Sequence, residues 1–407
     1  MLFSRRDYLK VLTCATAGSL VSLRTADSAS AALGTGNSLG PAPEAAQHSK
    51  GTDRPPGSVP VIYSTDLFHP PDDPDDHVDL ATLFSLPELD VRAIILDLGH
   101  QQGSKPGEIP VRQMAALTGR QVPHATGLLC PLRYPEDKAE NQFGKTDSAI
   151  NLILQTLRDS ERKVSIFTTG SLRDVAAALN RDEDLFRAKV ARIYVNAGNS
   201  AGSPTEWNTL LDPQAYIRLM GSDLPVYWCP CFGPGATLEA LFKGTLKPQP
   251  YSTYWKFTQQ EVFEALPPRL QNYFLYALGR KLTQLEDPIA YLNRVPEESL
   301  KETQWKARRN MWGTGPLIHA AGRQLYRQGD MWSALASPAR GLQPSKVFDF
   351  IPVNVTIDRD MKTTMQLSDV TGKMKVFHPV DLENYQAAMT TSLRKLLAEM
   401  PRVNPAA

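Results

Sequence analysis

The segment VIYSTDLFHPPDDPDDHVDLA, residues 61–81, runs from an apolar stretch into a Pro-rich loop and then into a second patterned stretch. Five aspartates, Asp66, Asp72, Asp73, Asp75 and Asp76, fall within eleven positions of it. The β-branched apolar run bounded by turn residues predicts a strand over 59–65. Apolar positions at helical spacing predict a helix over 76–86. Carboxylates that a fold holds this close repel one another, so they need protons or a cation. Hard oxygen ligands suit Ca²⁺ or Mg²⁺ rather than a thiolate-seeking metal. Taken alone, the loop reads equally well as a solvated acidic turn, because Asp and Pro favour turns for local backbone reasons.

Outward from this segment the same alternation repeats. Strands are predicted over 91–97, 164–168 and 190–196, and helices over 109–117, 148–158 and 172–179. Repeated β-α-β units make this an α/β protein with a mostly parallel, mixed central sheet flanked by helices. Ligands of such sheets sit beyond the carboxyl ends of the strands. Asp66, the run from Asp97 to His100, Thr168-Thr169-Gly170 and the run from Asn196 to Asn199 all fall at such ends, and their convergence makes the acidic loop more than a turn. Further on, helices are predicted over 251–266, 270–282 and 297–311, forming a helical insertion at about 240–330. Strands follow over 347–357 and 365–377, and a closing helix over 381–400. Core packing accounts best for Tyr251, Tyr254, Trp255 and Phe257, and His77, His319 and His378 lack a metal-ligand spacing such as HExxH.

Lys and Arg total 44 against 43 Asp and Glu, a balance that favours a small or neutral substrate and argues against nucleic acid as a partner. Four cysteines, Cys14, Cys130, Cys229 and Cys231, are too few for a disulfide-built scaffold in 407 residues. Cys229 and Cys231 are expected to be buried and unpaired. At the start, Ser4-Arg5-Arg6-Asp7-Tyr8-Leu9-Lys10 fits a twin-arginine export pattern, followed by a modest apolar run and an Ala29-Ser30-Ala31 cleavage site. That run is too short and polar to span a membrane, so no stable anchor is expected. The expected organisation is a signal peptide over 1–31, a disordered linker over 32–58 and one domain over 59–400, exported to the periplasm or secreted.

Several segments, in order, resemble the inosine-uridine preferring nucleoside hydrolase family. Ser64-Thr65-Asp66 followed by Asp75-Asp76 looks like its aspartate cluster, which runs Asp-x-Asp-Pro-Gly-x-Asp-Asp. Thr168-Thr169-Gly170-Ser171-Leu172-Arg173 is similar to its Pro-Thr-Gly-Pro-Leu-Thr segment. Glu206-Trp207-Asn208 and Asp212-Pro213-Gln214-Ala215 resemble its Glu-Phe-Asn and Asp-Pro-Glu-Ala pair. The resemblance implies a nucleoside hydrolase-like fold and hydrolysis of a ribosyl N-glycosidic bond in a small nucleoside or riboside, with bound Ca²⁺ activating a water. It also implies a homo-oligomer. By the same resemblance, Asp66 is metal ligand and general base, Asp76 a metal ligand, and Thr169 a ligand through its carbonyl. Asp75, His100, Asn199, Glu206 and Asn208 bind the ribose.

Two departures stand out. Leu67 to Pro74 replaces a tight Pro-Gly turn, so the loop must bulge, and His69, Asp72 and Asp73 either add ligands or, as the preferred expectation, face water. The family's late metal-binding Asp, in an Asp-Pro segment opening a helix, has as its counterpart Thr314-Gly315-Pro316-Leu317-Ile318-His319, which holds no carboxylate. A nucleoside- or sugar-binding protein on the same fold, and a hydrolase of a non-nucleoside glycoside, therefore stand beside the leading reading.

Overall fold

The computed structural model describes residues 57–403 except 72–73, 99–105, 141, 143–146, 203–204, 280–286, 339 and 371. The export segment, most of the linker, Asp72, Asp73 and His100 lie outside the described residues. The strands are β1 (Val59–Thr65), β2 (Leu89–Leu96), β3 (His124–Thr126), β4 (Val164–Thr169), β5 (Val190–Val195), β6 (Val226–Trp228), β7 (Trp255–Thr258), β8 (Arg308–Met311), β9 (Gln324–Gln328), β10 (Met331–Leu335), β11 (Phe348–Ile357), β12 (Thr363–Leu367) and β13 (Met374–Pro379). Helices in the first half are α1 (Asp75–Phe84), α2 (Glu108–Thr118), α3 (Ser148–Asp159), α4 (Arg173–Arg181), α5 (Glu183–Lys189), α6 (Trp207–Leu211) and α7 (Pro213–Met220). The second half adds α8 (Leu238–Phe242), α9 (Gln259–Phe263), α10 (Pro268–Leu278), α11 (Pro288–Leu292), α12 (Glu298–Gln304), α13 (Thr314–Ala320) and α14 (Leu382–Ala398).

Nine strands form the main sheet in the order β12-β11-β13-β6-β5-β4-β1-β2-β3. Pairings from β3 through to β13 are parallel, and β11 runs antiparallel to β13 and β12. This is the mixed, mostly parallel sheet that the alternation predicts. Both faces are covered, as parallel sheets require. Successive residues go to opposite sides: Val61, Tyr63, Phe167 and Tyr194 join one apolar cluster, and Ile62, Ile166, Ile193 and Val195 join the other.

Register decides where the site lies. Thr65, the last residue of β1, pairs with Leu96 of β2 and with Thr169 of β4. The three strands therefore end level, and the next residue of each, Asp66, Asp97 and Gly170, is delivered to one edge. On the other side Thr168 pairs with Val195, and Val195 with Trp228, which brings Asn196 and Cys229 to the same edge.

Three of the later expectations are corrected. Over 251–266 the chain forms β7 before the short α9, because Trp255 and Phe257 are buried while Lys256 and Thr258 are half-exposed, a strand alternation. Over 297–311 the helix stops at Gln304, and β8 then pairs antiparallel with β7. The strand over 365–377 is two strands interrupted near Ser368 and Gly372, and the long β11 pairs with one through each half. β9, the first strand of a hairpin with β10, also lies inside the stretch expected to be helical.

Candidate active site at the carboxyl edge of the sheet

Three hydroxyls converge on Asp76 at this edge. Its Oδ1 accepts from the Thr65 hydroxyl at 2.7 Å and the Tyr63 hydroxyl at 3.1 Å, and lies 2.6 Å from Thr169 Oγ1. The Thr169 hydroxyl is also 3.1 Å from the Tyr63 oxygen. These donors come from β1 and β4, so the sheet itself orients the first turn of α1. Asp66 is buried beside it. Loss of water, reinforced by the charges of Asp76, Asp97 and Asp75, raises its proton affinity well above that of an ordinary aspartate. Asp75 opens α1 and is half-exposed.

Gly170 is required by this crowding. A Cβ there would sit 2.5 Å from Asp97 Oδ2 and 2.6 Å from the Asp66 backbone nitrogen, inside van der Waals contact with both. Asp97 Oδ2 in turn accepts from the Ser171 backbone N–H at 2.6 Å. The following residue, Leu172, has φ +63°, a left-handed conformation that a branched side chain adopts at a cost. The loop carrying the Thr169 carbonyl is thus pinned from both sides.

Beneath it lies a buried network. Arg173 Nε donates to Asp212 Oδ2 at 3.0 Å, and its terminal nitrogens donate to the carbonyls of Leu98, Leu128, Leu129 and Leu211. Asp212 also accepts from the Leu132 N–H and caps α7 through the Ala215 N–H. All three nitrogens of the buried guanidinium donate, which offsets the cost of its burial.

The ribose-side candidates gather at the ends of β5 and β6. Glu206 caps α6, accepting from the N–H groups of Asn208 at 2.8 Å and Thr209 at 3.2 Å, and from Gly198 N–H at 2.8 Å. Burial still pushes its proton affinity up. Asn208 Nδ2 donates to the Asn196 carbonyl at 2.9 Å, and Asn199 Oδ1 accepts from Ala201 N–H at 2.8 Å. All three are buried.

Some residues behave differently from expectation. His69 does not face water. It is buried, stacks on Tyr276 at 5.3 Å and lies 5.8 Å from the His77 ring. Among the described residues neither histidine has a hydrogen-bond partner on either ring nitrogen. Burial lowers the pKa of His69 to about 4. Cys229 and Cys231 are buried and unpaired as expected, and Cys231 Sγ lies 3.5 Å from Asn196 Nδ2. Sequence reasoning passed over Tyr63 and Asp79. Asp79 sits one turn beyond Asp76 on the same helix, and that i, i+3 spacing was the available clue. Among the described residues, no three His, Cys, Asp or Glu side chains converge as a preformed metal cage.

An α/β sheet of this kind binds ligands beyond the carboxyl ends of its strands, where these buried acids lie. Residues 61–322 match the model of the inosine-uridine preferring nucleoside hydrolase family, and the chain belongs to that family. Pyrimidine-specific ribonucleoside hydrolases of Citrobacter koseri and Escherichia coli O1:K1 are 31% and 30% identical to it over 189 residues. Those alignments cover 42% of this chain and 59% of each relative, so the match spans less than two thirds of their length. A purine-preferring ribonucleoside hydrolase from Gardnerella vaginalis aligns with a TM-score of 0.48 at 17% identity, covering 83% of this chain and 99% of that one. An inosine-uridine preferring nucleoside hydrolase from Bacillus anthracis aligns with a TM-score of 0.41 at 14% identity, over 84% and 99% of the two chains.

Proposed function

We propose that this protein hydrolyses the N-glycosidic bond of ribonucleosides or related ribosides, with Ca²⁺ held at Asp66 and Asp76. The observation that carries the reading is the pairing of these two buried carboxylates beside Thr169 at the level ends of β1 and β4. The charges bearing on Asp66 are those of three other carboxylates, Asp76, Asp97 and Asp75. A hard cation relieves that repulsion, and the carboxylates of Asp66 and Asp76 with the Thr169 carbonyl are oxygen donors of the kind Ca²⁺ takes. The donor set fits the ion in kind.

When bound, the ion supplies a lowered pKa to water and a hold on the sugar hydroxyls. The rest falls to the chain. Asp66 accepts the proton of the water that attacks the anomeric carbon. Asp76, fixed by three hydroxyls, keeps Asp66 and Thr169 in register. Asp75 holds ribose hydroxyls, Asn199, Glu206 and Asn208 bind the far side of the ribose, and His100, outside the described residues, joins them on the family resemblance alone. The relatives named pyrimidine-specific and purine-preferring leave the base open, and a panel of both is the relevant substrate set. The twin-arginine segment supports export and cleavage near Ala31, which N-terminal sequencing of the mature protein tests.

Ribose release from purine and pyrimidine nucleosides, with and without chelator, tests the assignment. Chelator-sensitive release is expected, and Asp66→Asn should lower it by about 10²–10⁴-fold without lowering the melting temperature. No release by the Ca²⁺-loaded wild type from any nucleoside would overturn the assignment. The opening of α13 at Thr314 without a carboxylate favours a second reading, a nucleoside- or sugar-binding protein on this fold. It predicts saturable binding, no released ribose and indifference to chelator.

A further inference from the structure

Resting on the riboside reading proposed above, we infer that Cys231 is a positioning residue of the ribose wall: its thiol, oriented by Asn196, donates to Glu206 and holds that carboxylate in place for the sugar. Cys231 follows β6 by three residues and is 4% exposed. Its backbone is fixed without help from the side chain. The Cys231 N–H donates to the Gly198 carbonyl at 2.9 Å, and the Cys231 carbonyl accepts from Trp312 Nε1 at 2.9 Å and from the Ser252 hydroxyl at 3.3 Å. Three separate segments thus set where the thiol stands, and a substitution there tests the thiol rather than the path of the chain.

At that place the sulfur meets a donor and an acceptor. Asn196 Nδ2 donates to the Cys229 carbonyl at 2.8 Å and to Cys231 Sγ at 3.5 Å. A sulfur that accepts there is free to turn its own S–H elsewhere, and the Glu206 carboxylate lies within hydrogen-bonding reach. Burial first, and then the charge of Glu206, keep the thiol protonated well above its usual range, so it serves as a donor. Gly198 closes the ring: its N–H donates to Glu206 Oε2 at 2.8 Å while its carbonyl accepts from the Cys231 N–H. Gly198 has φ +86°, and a Cβ there would stand 2.4 Å from the Tyr216 hydroxyl, so a glycine is required at this join. The N–H groups of Asn208 and Thr209 hold Glu206 from α6, and the thiol adds a donor from the β6 side. The charge of Asp75 also reaches the thiol, which puts Cys231 within range of both acids assigned to the ribose.

The test is steady-state ribose release from inosine and uridine by the full mature protein, with D-ribose binding by calorimetry beside it, for wild type, Cys231→Ala and Cys231→Ser. Alanine removes the donor and serine keeps one. Cys231→Ala should raise KM and the ribose Kd about three- to tenfold with kcat nearly unchanged, because the lost hydrogen bond to a charged group acts alike on ground and transition states. Cys231→Ser should bring both back to within about twofold of wild type. Cys231→Val fills the space without a donor and should behave as alanine does; it carries the test if Cys231→Ala fails to fold. A folded alanine variant with wild-type KM and Kd, or a valine variant that matches wild type while serine does not, would overturn the inference, since the thiol would then only pack. Ribose release that ignores these substitutions would leave the hydrolase reading standing alone. Ribose binding that depends on the donor, with no release from any nucleoside, would do the reverse, and a wild type that neither releases nor binds ribose overturns both.

Discussion

Asp174 shows how a single buried acid sets a pH dependence. Its Oδ1 accepts from Leu128 N–H at 2.9 Å, its Oδ2 has no hydrogen-bond partner among the described residues, and Gly127 lies so close that a Cβ would be 2.1 Å from that oxygen. Burial, with the charge of Asp97 behind it, raises its pKa from 3.8 to about 7. Between those values the folded chain holds a proton that the unfolded chain has lost, so this group's contribution to stability falls as pH rises from about 4 to 7. His69 and His319, both lowered to about 4, act in the opposite sense: their contribution is lost as pH falls from 6.5 toward 4. Asp174→Asn should flatten the decline, so that the variant gains on the wild type as pH rises. Urea unfolding at pH 4.5, 6 and 7.5 checks this, and an unchanged gap across the series would contradict it. Asp66, Asp75 and Asp76 stood out at this scale by type and spacing, and Thr169 only through the family resemblance. Tyr63 and Asp79 were not, since a lone Tyr in a strand and a lone Asp in a helix read as ordinary until their neighbours are known.

At the scale of elements, α4 and α7 are held under the site by the Arg173–Asp212 pair, whose side chains are 3% and 0% exposed. Arg173→Met would leave Asp212 buried and unpaired, and should cost about 3–5 kcal/mol in denaturant unfolding. A loss below about 1 kcal/mol would show that water reaches Asp212 and replaces the guanidinium. In the central strand β4, Ile166 is fully buried, and Ile166→Ala should cost about 2–5 kcal/mol. The early strands were legible because buried parallel strands are continuous apolar runs ended by turn residues. The 251–266 and 297–311 stretches misled because four-residue strands abut helical segments there, and so short an alternation does not stand out against a helical pattern.

For the whole molecule, ligand binding and stability are one measurement. A ligand that binds only the folded chain raises its stability by about 2.7 kcal/mol at a hundred times its Kd. If Ca²⁺ occupies the proposed site, the melting temperature should rise with Ca²⁺ and fall back with chelator, and Mg²⁺ should do less because it prefers smaller, octahedral cages. A melting temperature indifferent to Ca²⁺ across the millimolar range would exclude a specific site. The two apolar clusters on opposite faces of the sheet share the strands between them, so the gain at the carboxyl edge is felt throughout the molecule.

By itself the sequence determined the α/β alternation, the strand that ends just before Asp66, and the family, because local periodicity and a few spaced residues encode them. Only the tertiary structure decided that β1, β2 and β4 end level, that Asp79 lies against Gly313, and that His69 is buried against Tyr276. Each depends on pairing or packing between segments far apart in the chain, and no local pattern specifies which distant backbone a side chain will meet.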